Sequence, residues 1–285
     1  MPKPRPSPRT ARGTRPAVKA GSTKSTKAKA VAGSARSIAL AITGLEVPVE
    51  LRRHRSARRL TLRINQTKRS VVVTVPLRCK IDEAGRFVHR HIDWVRTRLH
   101  ALPAPIPFED GAIMPLRGSD HFVQFVGPRA RGSVVSFEEL DSGMPVLAVK
   151  GVQEHAGRRL RDWLYAEARR DLDARVAFHA KRLGVKSKRL SVRDQGSRWG
   201  SCSTSGMLSF SWRLILAPPI VLDYVAAHEV AHLAEMNHGP RFWALVRKTM
   251  PDMEIAKAWL LKNGLDLHRY DATEPVTLPA LVKSA

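Results

Sequence analysis

"HEVAHLAEMNHG", residues 228–239, places three histidines and two glutamates in one short stretch of a 285-residue chain that has 11 histidines in all. Either it holds a metal ion that does chemistry, or it is a helix that happens to carry polar residues. On an α-helix, His228 and His232 lie four residues apart, so their rings point the same way one turn apart and can close on one ion. Glu229 sits about 100° further around the helix, within reach of a water on that ion without ligating the ion itself. A bound cation lowers the pKa of such a water to about 7, and a neighbouring carboxylate then takes its proton. The flanking Val225, Ala226, Ala227, Val230 and Ala231 make the helix nearly all apolar, so it should be buried. Burying two histidines and a glutamate without partners is costly, and an ion supplies the partner.

A catalytic zinc keeps three protein ligands and an open position. His238 is the expected third, because "NHGP" (237–240) ends the helix at Asn237 and Gly239, turns the chain back and starts a new helix at Pro240. Glu235 is the rival, three residues past His232 on the same face. Three ligands from one straight helix would, however, lie in a line over about 10 Å, which suits a tetrahedral ion poorly.

Working outward, "MLSFSWRLILA" (207–217) puts Leu208, Phe210, Trp212, Leu214 and Leu216 on one face of a strand. Pro218 and Pro219 then open the metal-bearing helix, as proline is tolerated in a first turn. "KRLSVRDQ" (188–195) reads as another strand, and apolar residues recurring at three and four between 152 and 183 predict a long helix stopped by Gly184. "SRWGSCS" (197–203) has two readings. It is a turn between strands in which Trp199 packs, or it lines a substrate cleft, where Arg198 holds a carboxylate or phosphate bidentately and Trp199 contacts substrate. Cys202 is either a small buried residue or a fourth ligand that closes the open position.

Nearer the N-terminus, Leu60, Leu62 and Ile64 alternate, "NQTK" (65–68) turns, and Val71, Val72, Val73 and Val75 return, a β-hairpin pattern. Phe87, Val88, Ile92, Val95 and Leu99 predict one helix over it, with Asp82 as N-cap. "HFVQFVG" (121–127) and "PVLAVKG" (145–151) suggest further antiparallel strands. The remaining histidines, among them His121, His179 and His268, sit among charged or amphipathic surroundings and read as surface or interface residues. The fold class is α+β. Its expected divisions are a disordered basic tail over 1–47, a β-rich region with one helix over 48–150, a metal-binding catalytic domain over 151–268 and a C-terminal tail over 269–285.

These motifs carry a resemblance. "SARRLTLRI" (56–64), "VVVTVP" (71–76), "RWGSCS" (198–203), "SWRLILAPP" (211–219) and "YVAAHEVAHLAEMNHGPRFW" (224–243) together resemble the YgjP-like metallopeptidase family, relatives of the SprT-like and WLM zinc peptidases, over roughly residues 48–265. The resemblance implies a minimal zincin-like catalytic domain with His228, His232 and His238 as ligands and Glu229 as general base. In much of the family the position of Ser211 is Asn, a departure that leaves the ligands intact but bears on any substrate role there. Nucleoside triphosphate pyrophosphatase activity has also been associated with the bacterial branch.

Composition bounds what this site can serve. The formal net charge is +24, and residues 1–36 carry ten Lys and Arg with no acid. Rich in Pro, Ser, Thr and Ala, that segment cannot offset its ordering entropy by burial, and contact with nucleic acid through it would be nonspecific. No apolar run is long enough for a transmembrane helix, and Cys79 and Cys202 form no CxxC pair, so a reducing cytoplasm is the expected setting. The leading expectation is a zinc-dependent hydrolase acting on peptide or protein, with manganese or nickel as other candidate metals. The alternatives are a metal-dependent nucleoside triphosphate pyrophosphatase and a nucleic-acid-binding module with a structural zinc.

Overall fold

Alternating residues in the N-terminal part build a sheet with one apolar face. A computed structural model describes residues 37–128 and 132–271; the tail expected over 1–36 and residues 272–285 lie outside them. Strands β1 (Ser37–Leu40), β2 (Val49–Arg53), β3 (Thr61–Asn65) and β4 (Ser70–Val75) assemble in the order β1-β2-β4-β3. β2 and β4 run parallel and the other pairs antiparallel, so the expected hairpin is present as β3 and β4. Val49, Leu51, Val71, Val73 and Val75 are almost wholly buried, and Arg52 and Arg63 occupy the opposite, exposed face.

Residues 37–47, assigned above to the tail, instead supply β1 and a segment that buries Leu45 and Val47. Ladder hydrogen bonds and apolar burial together offset the ordering entropy of this segment. The single helix expected over the hairpin is two, α1 (Ile81–Arg90) and α2 (Ile92–His100). The break falls at His91, whose N–H reaches back only to the Val88 carbonyl, at 3.0 Å. Asp82 lies in the first turn of α1, where its charge suits the helix dipole, and Lys80 takes the cap position.

A second sheet, β5 (Ile113–Leu116), β6 (Ser119–Gly127), β7 (Val135–Glu139) and β8 (Pro145–Lys150), has the order β5-β6-β8-β7. It is mixed rather than antiparallel throughout, because β6 pairs with β8 in parallel. All of Val146, Leu147, Ala148 and Val149 are buried, the continuous run of a strand covered on both faces. The sheet packs on α3 (Gln153–Leu183), which Gly184 ends in the left-handed conformation (φ 69°). Met114, Leu116, Val123 and Leu147 share one hydrophobic cluster with Leu160 and Leu164 of α3, and that cluster continues as far as Phe242 and Met253. The boundary expected at 150 therefore cuts through a single core. A separate cluster, from Leu45 to Val95, lies between the first sheet and α1 and α2, so the natural division falls after α2.

The third sheet carries the site. β9 (Arg189–Arg193), β10 (Gly200–Cys202) and β11 (Met207–Ser211) have the order β10-β11-β9, with β10 at an edge. "WGSC" is thus strand as well as turn. The strand expected to reach Ala217 stops at Ser211, and Trp212–Ile215 form a 3-10 turn. Residues 210–217 are all buried, so alternation there no longer marks a face. Helices α4 (Pro219–Ala231), α5 (Pro240–Thr249) and α6 (Met253–Asn263) follow. A last 3-10 turn, Asp266–Arg269, and a bridge from Tyr270 to Ile106 return the chain to the core, so residues 269–271 are not tail. Among the described residues no helix is long and apolar enough to cross a membrane.

Candidate metal centre

α4 ends at Ala231 rather than at Asn237. Beyond it the hydrogen bonds tighten: Leu233 N–H donates to the Val230 carbonyl and Ala234 N–H to that of Ala231, at 3.0 and 3.1 Å. Glu235 shapes the bend that follows. Its carbonyl accepts from His232 Nδ1 at 3.1 Å and its carboxylate from the Asn237 N–H at 3.2 Å. Its carboxylate is not among the ligand atoms that the three histidines bring together. Gly239 in extended backbone and Pro240 at the first helical position then start α5, and the bend brings His238 back over α4.

Ring nitrogens of His228, His232 and His238 lie within 4.8 Å of one another, with His228 Nε2 and His238 Nε2 3.1 Å apart. A tetrahedral ion with metal–nitrogen distances of about 2.1 Å holds its ligand atoms about 3.4 Å apart, so small side-chain rotations are enough for these three to meet on one. The bond to the Glu235 carbonyl makes His232 Nδ1 the protonated nitrogen and leaves the Nε2 lone pair free. His228 is pushed down to about 4 by burial and then by the other two rings, so it is neutral at physiological pH, as a ligand must be. Its Nδ1 is buried with no hydrogen-bond partner among the described residues. Phe242, fully buried on α5, packs edge-on to the rings of His228 and His238, with centroids 4.8 and 4.7 Å away, and lies 4.5 Å from that of His232. The donor set fits a divalent ion.

Glu229, the next residue on α4 after His228, packs against β10. A Cβ added at Gly200 would come within 2.5 Å of Glu229 Oε1 and 2.6 Å of its Cγ, so only glycine lets the edge strand lie this close. Burial raises the Glu229 carboxyl to about 7, and the Arg198 guanidinium offsets this only in part. A carboxyl that titrates near neutrality can both accept and return a proton. Cys202 follows on β10, its thiol raised by burial and then by the Glu229 charge; it stands outside the cluster, the position of a small packed residue. Trp199 packs on the core, its ring centroid 4.9 Å from that of His268. Ser211 is wholly buried and accepts from the Arg213 N–H at 3.4 Å, which caps the 3-10 turn.

Several supporting residues escaped the sequence. His179, on α3, is wholly buried, with Nε2 2.6 Å from Asp223 Oδ1 and Nδ1 2.6 Å from Thr249 Oγ1. Asp223 also accepts from Arg175 Nη2 at 2.9 Å. Burial alone would raise Asp223, but its bonds to His179 and Arg175 hold it below the usual carboxylate range. α3, α4 and α5 are thereby tied together one turn below His228. Arg213, wholly buried, pairs with Asp194 and donates to the Tyr270 carbonyl at 3.1 Å. His121, His179 and His268 are buried rather than surface residues. A lone cation inside "SWRLILA" was a readable sign of a buried pair; for His179 and His268 nothing local distinguishes them.

A histidine and a glutamate on one buried helix, a second histidine at its C-terminal cap, a third returned by a bend, and an edge strand alongside define a site of the metallopeptidase class. The family profile of the YgjP-like metallopeptidase domain matches residues 58–263, well over half of the chain, and the chain belongs to that family. The family implies a divalent metal. Among solved structures, the metallopeptidase zymogen abylysin of Pyrococcus abyssi matches with 21% identity and a TM-score of 0.31, covering 35% of this chain and 97% of that one. No curated protein matches.

Proposed function

We propose that the chain is a zinc-dependent hydrolase that cleaves peptide bonds, with His228, His232 and His238 as the ligands and Glu229 as the general base. The observation that carries this reading is the three-imidazole cluster with a buried carboxyl, that of Glu229, on the residue next to His228. An all-imidazole set without oxygen donors suits zinc better than magnesium or calcium. When bound, the ion polarises the scissile carbonyl and acidifies water. Glu229 takes a proton from the attacking water as its oxygen bonds to the carbonyl carbon. It then delivers that proton to the amine nitrogen as the carbon–nitrogen bond breaks, and the carboxylate is restored. Apolar neighbours on α4 keep bulk water from competing for the carboxyl. β10, at the edge of its sheet, offers unpaired backbone groups along which an extended peptide can lie.

Glu229→Gln keeps the side chain's volume and removes its basicity. Hydrolysis of a quenched fluorescent peptide should fall by about 10²–10⁴-fold, with metal content unchanged by elemental analysis. Turnover that survives in the metal-loaded variant would refute the mechanism.

A further inference from the structure

Beyond Glu229, the outer face of the third sheet floors a cavity of about 660 Å³. Strand register sets Ser201, Ser209 and Ser191 side by side across β10, β11 and β9, and Arg193 lies two residues further along the same face of β9. Arg52 and Arg63, on the outer face of the first sheet, line it as well, and Arg198 brings the total to four arginines. No Asp or Glu lines the cavity, and none of the four guanidinium groups has an ion-pair partner among the described residues. The one acid next to them in sequence, Asp194, is engaged by Arg213. The cavity adjoins the site: Arg198 and Cys202 both line it, and both interact electrostatically with Glu229.

Guanidiniums with no ion-pair partner among the described residues, above a floor of hydroxyls, form a donor surface for acceptors. Its chemistry narrows the occupant. No aromatic ring lines the cavity, so the bases of a single-stranded nucleic acid would find no platform to stack on. A peptide laid along β10, by contrast, would carry its side chains directly over the serine row. We infer that this cavity is a specificity subsite that receives Asp and Glu side chains of a polypeptide substrate, flanking the bond cut at Glu229. The inference rests on the peptide-hydrolase reading for its substrate. Arg63 and Arg193 are its specificity residues; they lie on separate sheets and take no part in the proton transfers.

The test separates the two readings. Fluorescence anisotropy with full-length, zinc-loaded Glu229→Gln protein would compare a labelled Glu-rich peptide with its Gln counterpart, an oligo-dT strand and ATP. The Glu peptide should bind about tenfold more tightly than the Gln peptide. The gap should close when Arg63→Gln and Arg193→Gln are combined, and persist in part when both are Lys. The N-terminal basic segment is intact in every protein, so the change in the gap between proteins reports the two arginines. Equal binding of the Glu and Gln peptides overturns the subsite. So do tighter binding of oligo-dT or ATP than of the Glu peptide, and a gap unchanged in the double Gln variant. Wild-type protein given the same two peptides then reports on hydrolysis. Cleavage indifferent to charge removes the subsite and leaves the hydrolase; selective binding without cleavage removes the hydrolase and leaves the subsite.

Discussion

Gly200→Ala adds one carbon to the protein at the point where β10 meets Glu229, the proposed general base. The glycine's φ lies outside the left-handed region, so alanine meets no backbone penalty and the effect is one of contact alone. The new methyl would sit 2.5 Å from Glu229 Oε1, 2.6 Å from Cγ and 2.8 Å from Cδ, where ordinary contact begins near 3.4 Å. The carboxylate must therefore retreat by about 1 Å, and a misplacement of that size costs about 10²-fold in rate. Overpacking a buried site should also cost about 1–3 kcal/mol of stability. The assay is kcat/KM on a quenched fluorescent peptide beside zinc content and a thermal melt. We expect the rate to fall about a hundredfold with zinc retained. The Gly200→Ala, Glu229→Gln double variant should be no slower than Glu229→Gln alone, since both changes remove the same interaction. An alanine variant within about twofold of wild type would show that the carboxylate's position against β10 does not matter, and would refute the reasoning.

The same packing fixes three other outcomes. Removing metal with a chelator should lower Tm: at a metal concentration a hundred times Kd the linkage is about 2.7 kcal/mol, or about 5–10 °C for a domain of this size, and an unchanged melt would argue against a ligand-competent cluster. Asp223→Asn leaves His179 and Arg175 without their carboxylate, and should cost about 2 kcal/mol in a urea titration while peptide KM stays near wild type. His268, pushed down to about 3 by burial and then by Arg213, is neutral in the folded protein, whereas the unfolded chain protonates it below about pH 6.5. Its contribution is thus fully present above pH 6.5 and is lost as pH falls toward 3, at about 1.4 kcal/mol per unit. Urea midpoints measured from pH 7 to pH 4.5 should show that slope, and it should flatten in His268→Gln.

The local patterns that survived into the structure are those whose physics is local. The period of α3 and its glycine stop, the β3 and β4 hairpin, and the opening of α4 at Pro219 each depend on residues within a few positions of one another. The spacing of His228 and His232 is of the same kind, because four residues make about one helical turn whatever surrounds them. Where expectation and structure part, distant residues intervene. The mixed second sheet depends on β7 taking the outer place beside β8, and the strand through Trp212 ends because Arg213 must reach Asp194 and Tyr270. Alternation fails as a guide there, since a segment buried on every side has no exposed face to mark.

What the sequence by itself determined is the identity of the chemical groups: three histidines, one glutamate and a helix able to carry two of the rings. Tertiary structure decided how they face one another. The early end of α4 swings His238 over His228, and Gly200 on a separate strand sets where the Glu229 carboxyl lies. The four arginines around the serine row come from two sheets and the segment leading into β10, and the two groups are more than a hundred residues apart in sequence. Local propensity acts along the chain, whereas a cavity, a buried pKa and a close contact are properties of space, and they exist only once the core has brought remote segments together.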